Sequence, residues 1–128
     1  AIYLCDDEKT IRKKVMSAVT DAGPTMLNQE KPEPIQNLFS LMELVSSRET
    51  YDYFNDQYNN MTIRYGDMKK QLAADINAFC APIREKILQF RSDEAYLSKV
   101  AAAGAEAARV SAEKTLEDVR EIIGFRRL

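Results

Sequence analysis

Residues 67–91 read DMKKQLAADINAFCAPIREKILQFR, and the spacing of their apolar side chains decides the fold. Met68, Leu72, Ile76, Phe79, Ile83 and Ile87 recur every three or four positions, the period that lines up one face of an α-helix. Asp67 stands where an N-cap would accept the free N–H groups of a first turn. Pro82 lies inside the pattern. It removes one backbone hydrogen bond, so the spacing predicts one long helix kinked at that point.

The same period extends to both sides. Upstream, the stretch from Thr50 to Asn59 predicts a short helix striped by Tyr51, Phe54 and Tyr58, followed by a connection over 61–66. Pro34, tolerated in a first turn, opens a helix that runs to Val45 with Ile35, Leu38, Phe39 and Met42 inward, and Ser46-Ser47 breaks it. Residues 25–34 read as a loop. Before them, Asp6 can cap a helix whose apolar face is Ile11, Val15, Ala18 and Val19 and which Gly23-Pro24 stops. The apolar run at 1–5 reads as a short strand or an extended lead-in, continuing something upstream. Downstream, Ser92 or Asp93 caps a last helix through Leu97, Val100, Leu116, Val119 and Ile123 to Gly124, with 125–128 as a tail. Gly104 inside it costs on the order of 1 kcal/mol relative to Ala, which a bend or the close approach of another backbone would justify. The expected fold is all-α: a helical bundle of about five helices, one long and kinked, one long and C-terminal.

A length of 128 residues suits one domain. The chain has no His, which removes the commonest general acid–base, the usual zinc ligand and every Ser–His or Cys–His pair. Cys5 and Cys80 stand far apart, in no metal-binding spacing, and read as reduced thiols. Asp6-Asp7-Glu8 could hold a metal ion but reads better as a solvated helix start, so neither a metal ligand nor a catalytic residue is expected. No apolar run is long enough to span a bilayer, so no membrane partner is expected. A net charge of −2 does not advertise DNA or RNA, and any basic surface must be local. Three basic clusters exist: Arg12, Lys13 and Lys14; Arg64, Lys69 and Lys70 with Tyr65 interleaved and Gln71 beside them; and Arg84, Lys86 and Arg91. The second lies at a loop-to-helix junction, where backbone N–H groups, cations and an aromatic face meet. Such groups hold a phosphate or stack a splayed base, although alternating charges on a helix also serve as a plain solvated face.

Several segments, taken in order, resemble the C-terminal part of the bacterial-type tryptophanyl-tRNA synthetases. The family's D-D-x-K-x-I-x-K-K-[IV] helix and its A-V-T-D ending are similar to residues 6–15 and Ala18-Val19-Thr20-Asp21. Its K-P-G-[IV]-x-N-L is similar to Lys31-Pro32 with Ile35, Asn37 and Leu38, and its Y-G-x-[FL]-K to Tyr65-Gly66-Asp67-Met68-Lys69. Its P-[IV]-x-E is similar to Pro82-Ile83-Arg84-Glu85, and its G-A-E-K-A to Gly104-Ala105-Glu106, with Ala107 in place of the Lys. Glu33-Pro34 and the spacing from Tyr58 to Tyr65 also depart from the family pattern.

The resemblance implies a parent that uses ATP and Mg to attach tryptophan to its tRNA, a cytoplasmic protein and a homodimer. It implies that this chain is a C-terminal piece lacking both class I signature motifs, inactive alone and without a cofactor of its own. Residues 1–24 would be the connecting segment and first helix after the catalytic domain, and 25–128 a helical anticodon-binding domain. The partners expected are the tRNA for tryptophan and the catalytic domain of the same chain. The expected tRNA-binding residues are Arg12, Lys13, Lys14, Arg64, Tyr65, Lys69, Lys70 and Gln71, although Tyr65 reads somewhat better as a ring packed at the helix junction. The other reading is a helical protein–protein interaction module without RNA binding.

Overall fold

A computed structural model describes residues 1–125. It is all-α, as expected, with five helices: α1 (Glu8–Met16), α2 (Glu33–Val45), α3 (Arg48–Asn59), α4 (Tyr65–Ser92) and α5 (Glu94–Ile122). No strand forms among the described residues. The apolar start, expected as a strand or an extended lead-in, instead folds into a turn at Leu4-Cys5, closed by the Asp6 N–H on the Tyr3 carbonyl at 3.0 Å, with Ile2 packed on the core and Tyr3 and Leu4 exposed. Of the expected tail, 126–128 lie outside the described residues.

Local chemistry sets the helix ends. The Asp7 carboxylate accepts the Thr10 N–H at 2.6 Å and caps α1, while Asp6, the expected cap, takes the Tyr3 N–H instead. The first helix stops at Met16, well short of Gly23-Pro24. Ser17 turns its hydroxyl back to the Lys14 carbonyl, and Val19 beyond it is 74% exposed, so burial does not extend the helix past that point. α2 carries Pro34 in its first turn, and Ser47 caps α3 through the Thr50 N–H. α3 closes with two backbone bonds, Thr62 N–H to the Gln57 carbonyl at 2.9 Å and Met61 N–H to the Tyr58 carbonyl at 3.1 Å. α4 begins two residues earlier than its expected cap and continues through Pro82. Asp93 caps α5 through the Tyr96 N–H. Gly124, at φ +73°, ends it, with the Phe125 and Gly124 N–H groups bonded to the Arg120 and Glu121 carbonyls. A Cβ at Gly104 would meet nothing within 4 Å, so no close backbone approach accounts for that glycine.

The chain divides into two compact units at Lys86/Ile87. The first holds the core: Ile11, Val15, Ile35, Leu38, Phe39, Met42, Phe54, Tyr58, Met68, Leu72, Ala73, Ile76 and Cys80. The stripe of α4 follows strict four-residue steps, Met68, Leu72, Ile76, Cys80. Cys80 is therefore buried and Phe79, expected inward, is 49% exposed. Phe39 sits edge-on to both Tyr51 and Tyr58, with centroids 5.7 and 6.0 Å away. The Lys31 ammonium lies over Phe39 and Tyr58 at 4.7 and 4.9 Å and donates to Asn55. Burial lowers its pKa, and the ring faces partly replace lost hydration. In the second unit, α5 has no buried residue, and Phe90 stacks on Tyr96 at 5.4 Å.

Candidate nucleic-acid interface

The N-terminal half of α4 distributes its polar residues over two faces that flank the buried one. At about 100° per residue, Asp67 and Gln71, with Arg64 immediately before the helix, fall on one face and Lys70, Ala74 and Asn77 on the next. Each face looks into a hollow of its own.

On one side, α4 meets α1. A small hollow is lined by Glu8, Arg12, Lys70, Ala73, Ala74 and Asn77. This brings together one cation from each of two clusters that are far apart in sequence. Arg12 has no acidic partner among the described residues, and Lys70 has only an exposed contact with Asp67 at 3.5 Å, a pair contributing about 0–1 kcal/mol. Both head groups are available to an anion. Lys13 is exposed as well. Lys14 is not free. It pairs with Asp6 at 2.6 Å and lies over the Tyr3 ring, and this pairing, first among the causes, lowers the Asp6 pKa.

On the other side, α4 meets α3 and the connection 61–64. A cavity of about 460 Å³ is lined by Tyr53, Phe54, Gln57, Thr62, Arg64, Asp67 and Gln71. It adjoins a second hollow that shares Tyr53, Phe54 and Gln71 and adds Glu49 and Thr50. The Tyr53 ring is 57% exposed yet held in place. Gln57 donates to its hydroxyl at 2.8 Å, and Phe54 beneath it packs edge-on at 5.0 Å. Gln71 is oriented in turn. Its amide donates to Asp75 at 2.9 Å, and the other Asp75 oxygen accepts from Ser46 at the end of α2. The Gln71 carbonyl oxygen and the Arg64 guanidinium have no partner among the described residues.

Two residues of the second cluster are committed to the fold. Lys69 is 8% exposed, and its ammonium donates to the Ala18 carbonyl at 2.7 Å and to the Thr20 hydroxyl at 3.1 Å. Tyr65 is half-buried and its hydroxyl donates to Asp21 at 2.8 Å. Burial first and the Asp21 carboxylate second raise its pKa well above the usual tyrosine value. Together they tie the segment after α1 to the start of α4. In the third cluster, Arg84 is half-buried, with Nε and one terminal nitrogen buried and unpartnered; Lys86 and Arg91 are exposed. Tyr53 and Gln57 did not enter the expected site. Tyr53 lies off the apolar stripe of its helix, and a Tyr–Gln pair four residues apart was the available signal.

Among the described residues no group of His, Cys, Asp or Glu could hold a metal ion, and no helix is long and apolar enough to cross a membrane. No protein-family model matches the chain. Curated relatives do. The chain is 64% identical over 126 residues to the tryptophan–tRNA ligase of Porphyromonas gingivalis, covering 98% of this chain and 38% of that protein. It is 35% identical over 128 residues to that of Listeria monocytogenes, covering 99% and 38%, and 32% identical over 125 residues to tryptophan–tRNA ligase 1 of Streptomyces coelicolor, covering 97% and 36%. The chain thus spans well under half the length of these relatives. Over nearly the whole of its own length, the chain is homologous to a segment of the tryptophan–tRNA ligases.

Proposed function

We propose that this chain is the C-terminal, tRNA-binding part of a tryptophan–tRNA ligase and that it engages the anticodon arm. The observation that carries the reading is the 64% identity to a tryptophan–tRNA ligase over 98% of the chain. Its interface pairs exposed cations for the phosphate backbone (Arg12, Lys13, Lys70 and Arg64) with an aromatic and amide-lined hollow for unpaired bases. Phosphate contacts supply affinity, while stacking and base-edge hydrogen bonds supply discrimination. Lys69 and Tyr65 contribute indirectly, by fixing the 18–21 segment against α4, and Lys14 by holding the approach to α1.

In the parent, ATP and Mg would drive adenylate formation and transfer of tryptophan to the tRNA end. Neither signature motif for that chemistry occurs in the 128 residues, so the chain by itself performs neither step and shows no tryptophan-dependent pyrophosphate exchange; measurable exchange contradicts this. Residues 1–24 would join the helical region to the catalytic domain of the same chain, within a cytoplasmic homodimer. That domain is the proposed neighbour of the exposed apolar residues of α5, Leu97, Val100, Leu116 and Val119, because the relatives extend far beyond the length matched here.

A filter-binding titration with the tRNA for tryptophan and with an anticodon-mutated transcript tests the reading. Tighter binding of the cognate tRNA is expected, with affinity falling as salt rises, roughly in proportion to the phosphates neutralised. Equal affinity for both transcripts contradicts anticodon engagement. Retention of a protein but no tRNA would favour the helical protein-interaction module instead.

A further inference from the structure

We propose that the cavity between α3 and α4 is a pocket for a single unstacked nucleobase whose Watson–Crick edge presents an exocyclic amino group beside an unprotonated ring nitrogen. The proposal rests on the tRNA reading above and assigns one contact within it. Three features of the cavity point the same way.

First, it has a preformed stacking surface. Tyr53 is 57% exposed, while the Gln57 amide on its hydroxyl and a T-shaped contact with the Phe54 ring hold its orientation. An aromatic face held in place loses little side-chain entropy when a base stacks on it.

Second, the polar lining is bipolar. Arg64, just before α4, offers donors and Asp67, in the first turn of α4, offers acceptors; both line the cavity without pairing with each other within 4.0 Å, and Asp67 makes only the exposed 3.5 Å contact with Lys70. An amino-bearing edge needs this combination: the carboxylate accepts from the exocyclic amine, and the guanidinium donates to the adjacent ring nitrogen. Cytosine and adenine share that edge. Uracil presents a carbonyl oxygen where the amine would be, and that oxygen would face the Asp67 carboxylate. The Gln71 carbonyl oxygen, set by the Asp75 bond, adds a further acceptor.

Third, the charge balance favours a phosphate on the other side: this cavity has one cation, Arg64, against one carboxylate, Asp67. The adjoining face of α4 has a better site, where Arg12 and Lys70 outnumber the single carboxylate, Glu8, in the small hollow against α1. The two faces of one helix thus divide the work, base on the α3 side and phosphate on the α1 side.

The test is an equilibrium titration of the 128-residue chain with transcripts of the tryptophan tRNA in which each amino-bearing anticodon base is changed in turn to uracil, in the wild-type chain and in Asp67→Asn, Tyr53→Ala and Tyr53→Phe. All of the altered side chains are exposed, and circular dichroism verifies that helix content is kept. One base change should weaken binding about tenfold in the wild-type chain, within the range for a lost base-edge pair. Asp67→Asn should weaken binding of the unaltered tRNA and abolish that preference. Tyr53→Ala should cost roughly 5- to 150-fold, the range for a lost stacking contact, whereas Tyr53→Phe should stay within about threefold of wild type. A cytosine-only or an adenine-only loss identifies which base occupies the pocket. If the wild-type chain discriminates among transcripts but Asp67→Asn and Tyr53→Ala match it, or if the pocket prefers uracil or guanine, the pocket is overturned and the tRNA reading stands. Absence of tRNA binding by the wild-type chain overturns both.

Discussion

Met61 ends α3 in the left-handed region, at φ +58°. The two backbone bonds that close the helix make it the position normally held by glycine. A side chain there carries a strain of about 1–2 kcal/mol, and Met61 is 46% exposed, so little packing offsets it. Met61→Gly should therefore raise stability by up to about 1 kcal/mol, read as a higher urea midpoint at an unchanged slope; a lower midpoint would show that the methionine packs better than its exposure indicates. Lys69 and Lys70 show how much one residue of helix phase decides. Adjacent in sequence, they looked alike as members of a basic cluster. Lys69 falls three residues before Leu72 and seven before Ile76, on the buried face, and its ammonium reaches the Ala18 carbonyl, whereas Lys70 faces the α1 hollow. The phase was readable in the sequence, but the carbonyl that accepts from Lys69 lies 51 residues away and was not.

At the scale of elements, the helices of the core were legible because each carries several large apolar residues at one period. α2 and α3 match the expected stripes, and the shift from Phe79 to Cys80 in α4 is a rotation of one residue within a stripe correctly placed. The end of α1 was not legible, since Ala18 and Val19 continue the apolar spacing and only tertiary packing shows that Val19 stays exposed. The junction between α1 and α4 also sets a pH dependence. Tyr65 and Tyr58 have raised pKa values in the folded chain, both chiefly through burial. Unfolded tyrosine ionises near about 10, so their stabilisation is complete below that pH and is lost as pH rises above it. Lys31 acts in the opposite sense, because its lowered pKa makes the unfolded chain bind the extra proton. Tyr65 carries the large shift among the three and sets the net sign. Thermal melts should therefore fall between pH 9 and pH 11, and Tyr65→Phe should flatten that fall. An unchanged slope in the variant would remove Tyr65 as its source. On the acid side, Asp6 and Asp7 have lowered pKa values, through Lys14 and Thr10 respectively, and their contribution is lost as pH drops below about 4.

For the molecule as a whole, ordered short motifs carried the family resemblance, and the relatives bear it out with matches along nearly the full chain. Periodicity could not reveal the face that α4 turns toward α3. Tyr53 and Gln57 carry no basic charge and sit outside any motif, and they join Arg64 and Gln71 only once α3 packs on α4. The proposed seat of the anticodon arm is the first unit, along the N-terminal half of α4. The most direct measurement is a backbone and side-chain amide NMR titration of the 128-residue chain with an anticodon stem-loop of the tryptophan tRNA. Salt-sensitive shifts are expected at Arg12, Tyr53, Arg64, Lys70 and Gln71, with α5 unaffected. Shifts confined to α5, or no shifts at all, would contradict this placement.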